Sequence, residues 1–430
     1  MEKRKIGVGF LGLGTVGSGV LEILQMNREQ VTRRAGAEIE VRKILVRDPH
    51  KKRAVNVNND LYTSDADEVL DHPEIDVVVE VMGGVDEAKK YVKKALQNKK
   101  YVITANKDLM ATSGAELMLL AGEYERNIYY EASVGGGIPL IRPLKHSLSG
   151  NRISRIIGII NGTTNYILSK MSLENMDFET ALAEAQEKGF AEQDPSNDLE
   201  GKDAGYKLCI LAGLAFNSRV NYEDLYVDGI NGIDKRDIAY ARELGFTLKL
   251  LAIGEEIDGA LAPRVHPALV PSTHPLAGVL FENNALYVTG NAVGEVMFFG
   301  PGAGALPTGS SIVADLLDVA HEMRCQEEGS VMELHFQDKT IISMDKLHSA
   351  FFLRLQAKDQ PGVFASLATT FGNENVSLDM IIQKSSTEGQ AEIVLVTHEV
   401  EEKNFNRAVD KIRDFSYVRR INSIFRVIKT

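Results

Sequence analysis

Residues 185–207 read Ala-Gln-Glu-Lys-Gly-Phe-Ala-Glu-Gln-Asp-Pro-Ser-Asn-Asp-Leu-Glu-Gly-Lys-Asp-Ala-Gly-Tyr-Lys, and they hold the residue types of an acid/base site. Glu192, Asp194, Asp198 and Asp203 lie in a Gly/Pro-broken segment that runs into an apolar helix carrying Lys207. Asp203 and Lys207 are four residues apart, so on a helix they share one face. A lysine beside carboxylates at the edge of a buried helix is placed to give a proton to a small polar substrate. The same pattern also describes a solvated acidic loop followed by a minor helix-stabilising pair. A second feature must decide.

That feature lies at the start of the chain. Ile6-Gly7-Val8-Gly9-Phe10-Leu11 reads as a strand, Gly12-Leu13-Gly14-Thr15-Val16-Gly17 as a turn, and a helix follows through Ile23 and Leu24. Gly12 permits the tight turn, Gly14 lets the backbone approach a pyrophosphate, and Gly17 lets the helix pack closely. The helix N-terminus supplies N–H groups to the phosphates. A glycine triplet in this strand–helix context points to dinucleotide binding. A second strand over 39–46 ends in Arg47-Asp48, followed by Lys51-Lys52-Arg53. An acidic residue there would hold a ribose diol and favour NAD, whereas basic residues would neutralise a 2′-phosphate and favour NADP. Arg47 comes first, so the reading favours NADP over NAD, although Lys51 to Arg53 also fit an exposed basic turn.

Composition narrows the class. The chain has 430 residues, a prior of about three domains, and a formal net charge of −12 that argues against a nucleic-acid surface. Its two cysteines, Cys209 and Cys325, offer neither a disulfide framework nor metal-ligand spacing, and Cys209 sits in an apolar run that suits packing. No signal peptide opens the sequence, and no apolar stretch is long enough to span a bilayer. The expectation is a soluble cytoplasmic protein without nucleic-acid or membrane partners.

The elements that must position these residues fall into three blocks. Through residue 145, apolar runs alternate with helical patterns, the signature of a parallel sheet. A buried strand over 76–81 ends in Met82-Gly83-Gly84, and a Lys-rich amphipathic helix follows to Asn98. A strand over 101–104 ends in Ala105-Asn106-Lys107, then come a helix around 115–126 and a strand over 128–131. Ligands gather beyond the carboxyl ends of such strands, so Gly83, Asn106-Lys107 and residues 133–137 should surround the reactive part of a cofactor. The second α/β block, 150 to about 300, carries a strand over 155–160, the turn Asn161-Gly162-Thr163-Thr164-Asn165, the acidic segment, and strands over 247–253 and 294–299. Gly300-Pro301-Gly302-Ala303-Gly304 then leads into an amphipathic helix over 312–323, which suggests that the chain returns to the nucleotide domain there. A polar linker begins at 324–329. From Leu347 onward the order reads β-α-β-β-α-β, with the turn Asp359-Gln360-Pro361-Gly362, a turn at Glu388-Gly389, and Phe405, Ala408, Val409 and Ile412 on one helix face. This ferredoxin-like unit resembles the ACT module, which binds small amino acids at interfaces between copies.

Assembled, these motifs resemble the homoserine dehydrogenase family over residues 1 to about 325, with an ACT tail behind. Ala185, Gly189, Asp194-Pro195, Asp198-Leu199, Gly201, Asp203 and Lys207 stand at the family's spacing. Residues 12–17, 104–107, 131–137, 161–165 and 300–304 also look like family motifs. The resemblance implies a Rossmann-type parallel-sheet domain over 1–145 plus about 302–325, and an α/β substrate and dimerisation domain over 146–301. A linker over 326–346 and an ACT domain over 347–430 complete it. It implies reversible NAD(P)H-dependent reduction of L-aspartate 4-semialdehyde to L-homoserine, in the biosynthesis of threonine, methionine and isoleucine. Carried over by position, Lys207 is the acid/base, and Glu192, Asp203 and Asp198 form the substrate pocket. Phe10, Gly12, Gly14, Thr15, Val16, Gly17, Arg47, Lys107, Gly189 and Gly302 would meet the cofactor. A monovalent cation such as sodium would sit on oxygens of Glu131, Val134, Gly136 and Ile138. The ACT tail suggests L-threonine as effector and assembly as a homodimer or homotetramer.

The chemistry stands beside the resemblance. Hydride addition to an aldehyde builds negative charge on oxygen, and a nearby ammonium both stabilises that charge and supplies a proton. An arginine would stabilise the charge but hardly release the proton. Two rival readings remain open. Aspartate-semialdehyde dehydrogenase would need a nucleophilic cysteine, and neither cysteine looks poised for that. An amino-acid sensor with an idle nucleotide domain would have no need of Lys207, Glu192 and Asp203.

Overall fold

The computed structural model describes residues 5–51, 53, 55, 57–324, 338–385 and 389–428. Lys52, Cys325, the stretch 325–337 and Glu388 lie outside the described residues, as do the expectations that fall on them. The chain forms two compact units: residues 1–156, 206–223 and 284–338 in one, and 157–205, 224–283 and 339–430 in the other. Among the described residues, no helix is long and apolar enough to cross a membrane.

In the first unit, β1 (Lys5–Leu11), β2 (Glu38–Leu45), β3 (Tyr62–Thr63), β4 (Val77–Glu80), β5 (Tyr101–Thr104) and β6 (Ile128–Tyr129) form a parallel sheet in the order β3-β2-β1-β4-β5-β6. The order reverses between β1 and β4, the switch point where such sheets open a crevice. β4 and β5 are buried at every position, as strands covered on both faces must be. The helix Asp86–Gln97 buries Ala88, Val92, Ala95 and Leu96 on one face and places Asp86 and Glu87 in its first turn, where the helix dipole favours anions. α1 (Thr15–Met26) crosses the helix Ala305–Arg324 at two glycines. A Cβ on Gly19 would lie 2.0 Å from the Ala305 carbonyl oxygen, and one on Gly309 would lie 2.8 Å from the Gly19 carbonyl carbon. Ile312, Val313, Leu316 and Val319 of that helix join Val8, Phe10, Val77 and Val79 in one core.

Three boundaries depart from expectation for local reasons. The helix expected around 115–126 begins at Lys107, because the Asn106 side chain accepts the Leu109 N–H at 3.0 Å and caps it there. The helix expected from 312 begins at Ala305, with Pro307 in its first turn, where no intrahelical N–H is needed. The strand expected over 128–131 stops at Tyr129, since Glu131 turns inward: its carboxylate accepts the backbone N–H groups of Leu140, Ile141 and Arg142 at 2.5, 2.8 and 2.8 Å.

In the second unit, the strands Phe246–Ile257 and Arg264–Pro271 pair antiparallel, from Arg264↔Ile253 to Pro271↔Phe246. Arg264–Pro271 also pairs in parallel with the last strand, Val418–Val427, through Ala268↔Arg426 and Leu269↔Val427. Val418–Val427 lies antiparallel to His348–Lys358, which pairs with Gln390–Thr397, which in turn pairs with Leu378–Ser385. The helices Val363–Asn373 and Glu402–Arg413 complete the expected β-α-β-β-α-β order. Phe351, Leu353 and Leu355 meet Phe405, Ala408, Val409 and Ile412 in its core, and the rings of Phe351 and Phe405 stack at 3.7 Å. The ferredoxin-like sheet therefore does not stop at its own last strand. An edge otherwise open to association is closed by Arg264–Pro271.

Candidate active site

The first unit supplies a nucleotide-binding turn. Gly12 has φ +98°, and a Cβ there would lie 2.9 Å from the Met82 Cα, so only glycine fits. A Cβ on Gly17 would meet the Gly12 carbonyl oxygen at 3.1 Å, which explains its size. Gly14 has open space where a side chain would point and caps α1 without a side-chain hydrogen bond. The first N–H groups of α1, from Thr15 and Val16, thus suit a pyrophosphate. Phe10 is buried in β1, beneath this turn. At the end of β2, Arg47 is exposed. Asp48 is committed to its own turn: its Oδ1 accepts the His50 N–H and its carbonyl accepts from Arg53, both at 2.9 Å. Arg53 lies over the Tyr62 ring at 4.9 Å, so this cation is also part of the turn.

The ends of β4 and β5 are tied by a polar network that the sequence did not announce. Glu80 is fully buried; Thr104 Oγ1 donates to its Oε2 at 2.5 Å and the Met82 N–H to its Oε1 at 3.0 Å. Burial pushes the Glu80 pKa up. Asn106 Nδ2 donates to the Gly84 carbonyl at 2.6 Å, which fixes the glycine turn after β4 against the helix that Lys107 opens. Lys107 is half-buried at that helix start. The available signal was a lone carboxylate closing an apolar strand.

Beside these ends, the turn from Glu131 through Val134 to Ile138 packs on the glycine loop. Gly135 and Gly136 have φ +77° and +55°, and a Cβ on Gly136 would lie 2.5 Å from the Gly302 carbonyl oxygen. A Cβ on Gly302 would in turn sit 2.1 Å from the Asn284 side chain. Ser311 Oγ donates to the Gly136 carbonyl at 2.6 Å. Beneath the turn, Asp315 accepts the Glu131 N–H at 3.1 Å and Arg142 Nη2 at 2.6 Å. Burial pushes the Asp315 pKa up to about 7, against the pull of Arg142.

The second unit orders the acidic segment. Asn161 caps the helix Gly162–Glu174 through Oδ1, which accepts the Thr164 N–H at 2.8 Å. That leaves Nδ2 to donate to Asp198 Oδ1 at 2.7 Å and Asp203 Oδ2 at 2.9 Å. Thr163 Oγ1 holds the other oxygen, Asp198 Oδ2, at 2.8 Å. One cap residue thereby joins two carboxylates, and nothing local in the sequence singles out Asn161 or Thr163 for this. Asp203 is buried and Asp198 half-buried. Glu192 is exposed, and Gln186 Nε2 donates to its carbonyl at 3.1 Å. Gly189, with φ +75°, ends the helix Phe178–Glu187 just ahead of it. Asp194 serves its own turn, accepting from the Ser196 hydroxyl at 2.5 Å, and this bond lowers its pKa. Asp203 and Lys207 stand one turn apart on the single helix Lys202–Ala215. Cys209 is buried farther along that helix, as its apolar setting suggested.

Three stretches of the chain match known family models. Residues 12–131 match the model described as homoserine dehydrogenase, NAD binding domain; residues 139–317 match homoserine dehydrogenase; residues 351–416 match the ACT domain. The homoserine dehydrogenase of Bacillus subtilis (strain 168) is 43% identical over 426 residues, covering 99% of this chain and 98% of that one. The crystal structure of a homoserine dehydrogenase from Thiobacillus denitrificans superposes with TM-score 0.94 at 40% identity, over 99% of both chains. A hyperthermophilic archaeal homoserine dehydrogenase in complex with NADPH gives TM-score 0.63 at 29% identity, over 74% of this chain and 98% of that one. The chain therefore belongs to the homoserine dehydrogenase family of NAD(P)-dependent oxidoreductases and carries a C-terminal ACT domain.

Proposed function

We propose that this chain reduces L-aspartate 4-semialdehyde to L-homoserine, reversibly, with Lys207 as the acid/base, on the route to threonine, methionine and isoleucine. The observation that carries the reading is the helix Lys202–Ala215, which sets Lys207 one turn from Asp203 while Asn161 ties Asp203 to Asp198. A bound nicotinamide cofactor supplies the hydride for the carbonyl carbon. The Lys207 ammonium stabilises the negative charge that grows on the carbonyl oxygen and passes it a proton; in reverse, the neutral amine takes the hydroxyl proton. Glu192 and Asp203 bind the substrate's ammonium, and Asp198, oriented by Asn161 and Thr163, shapes the pocket. Lys107 lies by the nicotinamide ribose, with Gly189 and Gly302 lending backbone to the cofactor site.

NADP is the preferred cofactor in this reading. Arg47 stands exposed at the end of β2, whereas the Asp48 carboxylate is engaged in its own turn. A monovalent cation is assigned to the turn at 131–138, where Gly135 and Gly136 adopt positive φ. The Glu131 carboxylate already accepts three backbone N–H groups, and the ion would take oxygens of Glu131, Val134, Gly136 and Ile138. It would fix the turn electrostatically beside the glycine loop. L-Threonine is the effector we assign to the ACT domain. Val293, Met297 and Phe299, exposed along an edge of the first unit, favour a homodimer or larger assembly.

The test is the initial rate of L-homoserine-dependent reduction of NADP and of NAD, side by side at mildly alkaline pH. Faster turnover with NADP is expected. No turnover with either, from folded protein that still binds nucleotide, would overturn the reading.

A further inference from the structure

Two helices each carry one of the site's lysines. Lys107 opens Lys107–Glu123, and Lys207 lies in the second turn of Lys202–Ala215. One to two turns past both lysines, the helices part around a cavity of about 370 Å³, within the size range of small-molecule sites. Met110, Met118 and Ile210 give it an apolar wall, and Ser218 and Arg219 lie on the segment that closes it. The Ser218 hydroxyl is fully buried and has no hydrogen-bond partner among the described residues. A buried polar atom of this kind needs an explanation. Arg219 is exposed at the same wall. The anion on that wall, Glu116, is already occupied: Lys89 holds it at 2.7 Å and Lys93 binds its other oxygen, which lowers its pKa to about 2. The uncompensated character of the wall is therefore cationic.

We propose that this cavity binds a small carboxylate with an aromatic or aliphatic tail. The carboxylate meets Arg219, and the tail lies among Met110, Met118 and Ile210, where thioethers suit an aromatic ring. An occupant wedges apart the helices that bear Lys107 and Lys207 and so slows turnover. This last effect rests on the reading of those lysines given above; the binding does not.

The structure also names the variant that closes the site. Gly213 lines the cavity, and a Cβ there would meet only the Ser218 carbonyl oxygen at 3.4 Å, an ordinary contact. Gly213→Leu therefore adds its side chain at the cavity wall from a Cβ that meets no clash. The experiment is calorimetric titration of the full-length protein with 4-phenylbutyrate, with uncharged 4-phenylbutanol as the control. Saturable one-to-one binding is expected for the wild type, weaker by about tenfold for the alcohol and for Arg219→Gln. Gly213→Leu should abolish binding while homoserine oxidation without the probe is unchanged. The probe should slow oxidation by the wild type but not by Gly213→Leu. Non-saturable heat with the wild type, or equal affinity in Gly213→Leu and Arg219→Gln, overturns the site. Binding that leaves turnover untouched overturns the coupling. Failure of the lysine reading shows separately, as normal turnover by a Lys207→Arg variant.

Discussion

Two groups of acidic residues in the second unit differ in what holds them. Asp237 and Glu392 are closed off by a cation: Arg354, itself 1% exposed, donates Nε to Asp237 at 2.6 Å and Nη1 to Glu392 at 2.9 Å. Tyr240 adds its hydroxyl to Glu392 at 2.6 Å, and Ser423 bonds Asp237. Asp198, in contrast, is held by an amide and a hydroxyl, Asn161 and Thr163. Neutral donors fix a carboxylate's direction and leave its charge in place; a guanidinium fixes it and cancels the charge. The first cluster is built to join the strand His348–Lys358 of the ACT sheet to the helix Lys235–Glu243. The second keeps its negative charge, as the proposed binding of a substrate ammonium requires.

The contrast breaks most visibly at Arg354. Replacing it with Met should cost about 3–5 kcal/mol, because two carboxylates would be left inside without their cation. Urea unfolding of the full chain measures this, and a loss below about 1 kcal/mol would mean the cluster is not the closed ion pair described. Deleting the ACT domain is a poorer probe of regulation, since it also uncovers the Arg264–Pro271 edge and strips Asp237 of Arg354. Asn161→Ala comes next. Loss of a donor shared by two carboxylates should raise the barrier measured by kcat/KM for homoserine by about 1–3 kcal/mol, roughly five- to 150-fold, while nucleotide binding persists. Unchanged kcat/KM would remove Asp198 and Asp203 from the substrate pocket.

Lys249 gives an effect that depends on pH. Its amine is buried and held by neutral acceptors: its Nζ donates to Asn165 Oδ1 at 2.9 Å and to the Val279 carbonyl. Burial lowers its pKa from 10.5 to about 7. Between those values the unfolded chain keeps the proton and the folded chain does not, so stability from this group rises with pH across the window and is lost as pH falls to about 7. Lys249→Met should flatten the slope by up to about 1.4 kcal/mol per pH unit in urea titrations at about pH 7, 8.5 and 10. An identical slope in both proteins would show that Lys249 titrates normally.

The parts legible from sequence are those made by neighbours in the chain. Gly12, Gly14 and Gly17 between β1 and α1 need only a few residues of context, and so does the alternation of Phe351, Leu353 and Leu355. Asn161 is hard to read because its partners stand 37 and 42 residues away. Pro307 reads as the end of a loop, although a first helical turn accepts it. The pairing of Leu269 with Val427 leaves no local trace at all, since either strand would look complete as an edge.

The central claim is that Lys207 moves the proton, and Lys207→Arg tests it most directly. Arginine keeps the positive charge beside the reacting oxygen but does not release the proton at working pH. The account predicts a folded variant that still binds NADP and loses about 10²–10⁴ in kcat for homoserine oxidation. Turnover near that of the wild type would assign the proton to another group and contradict the account.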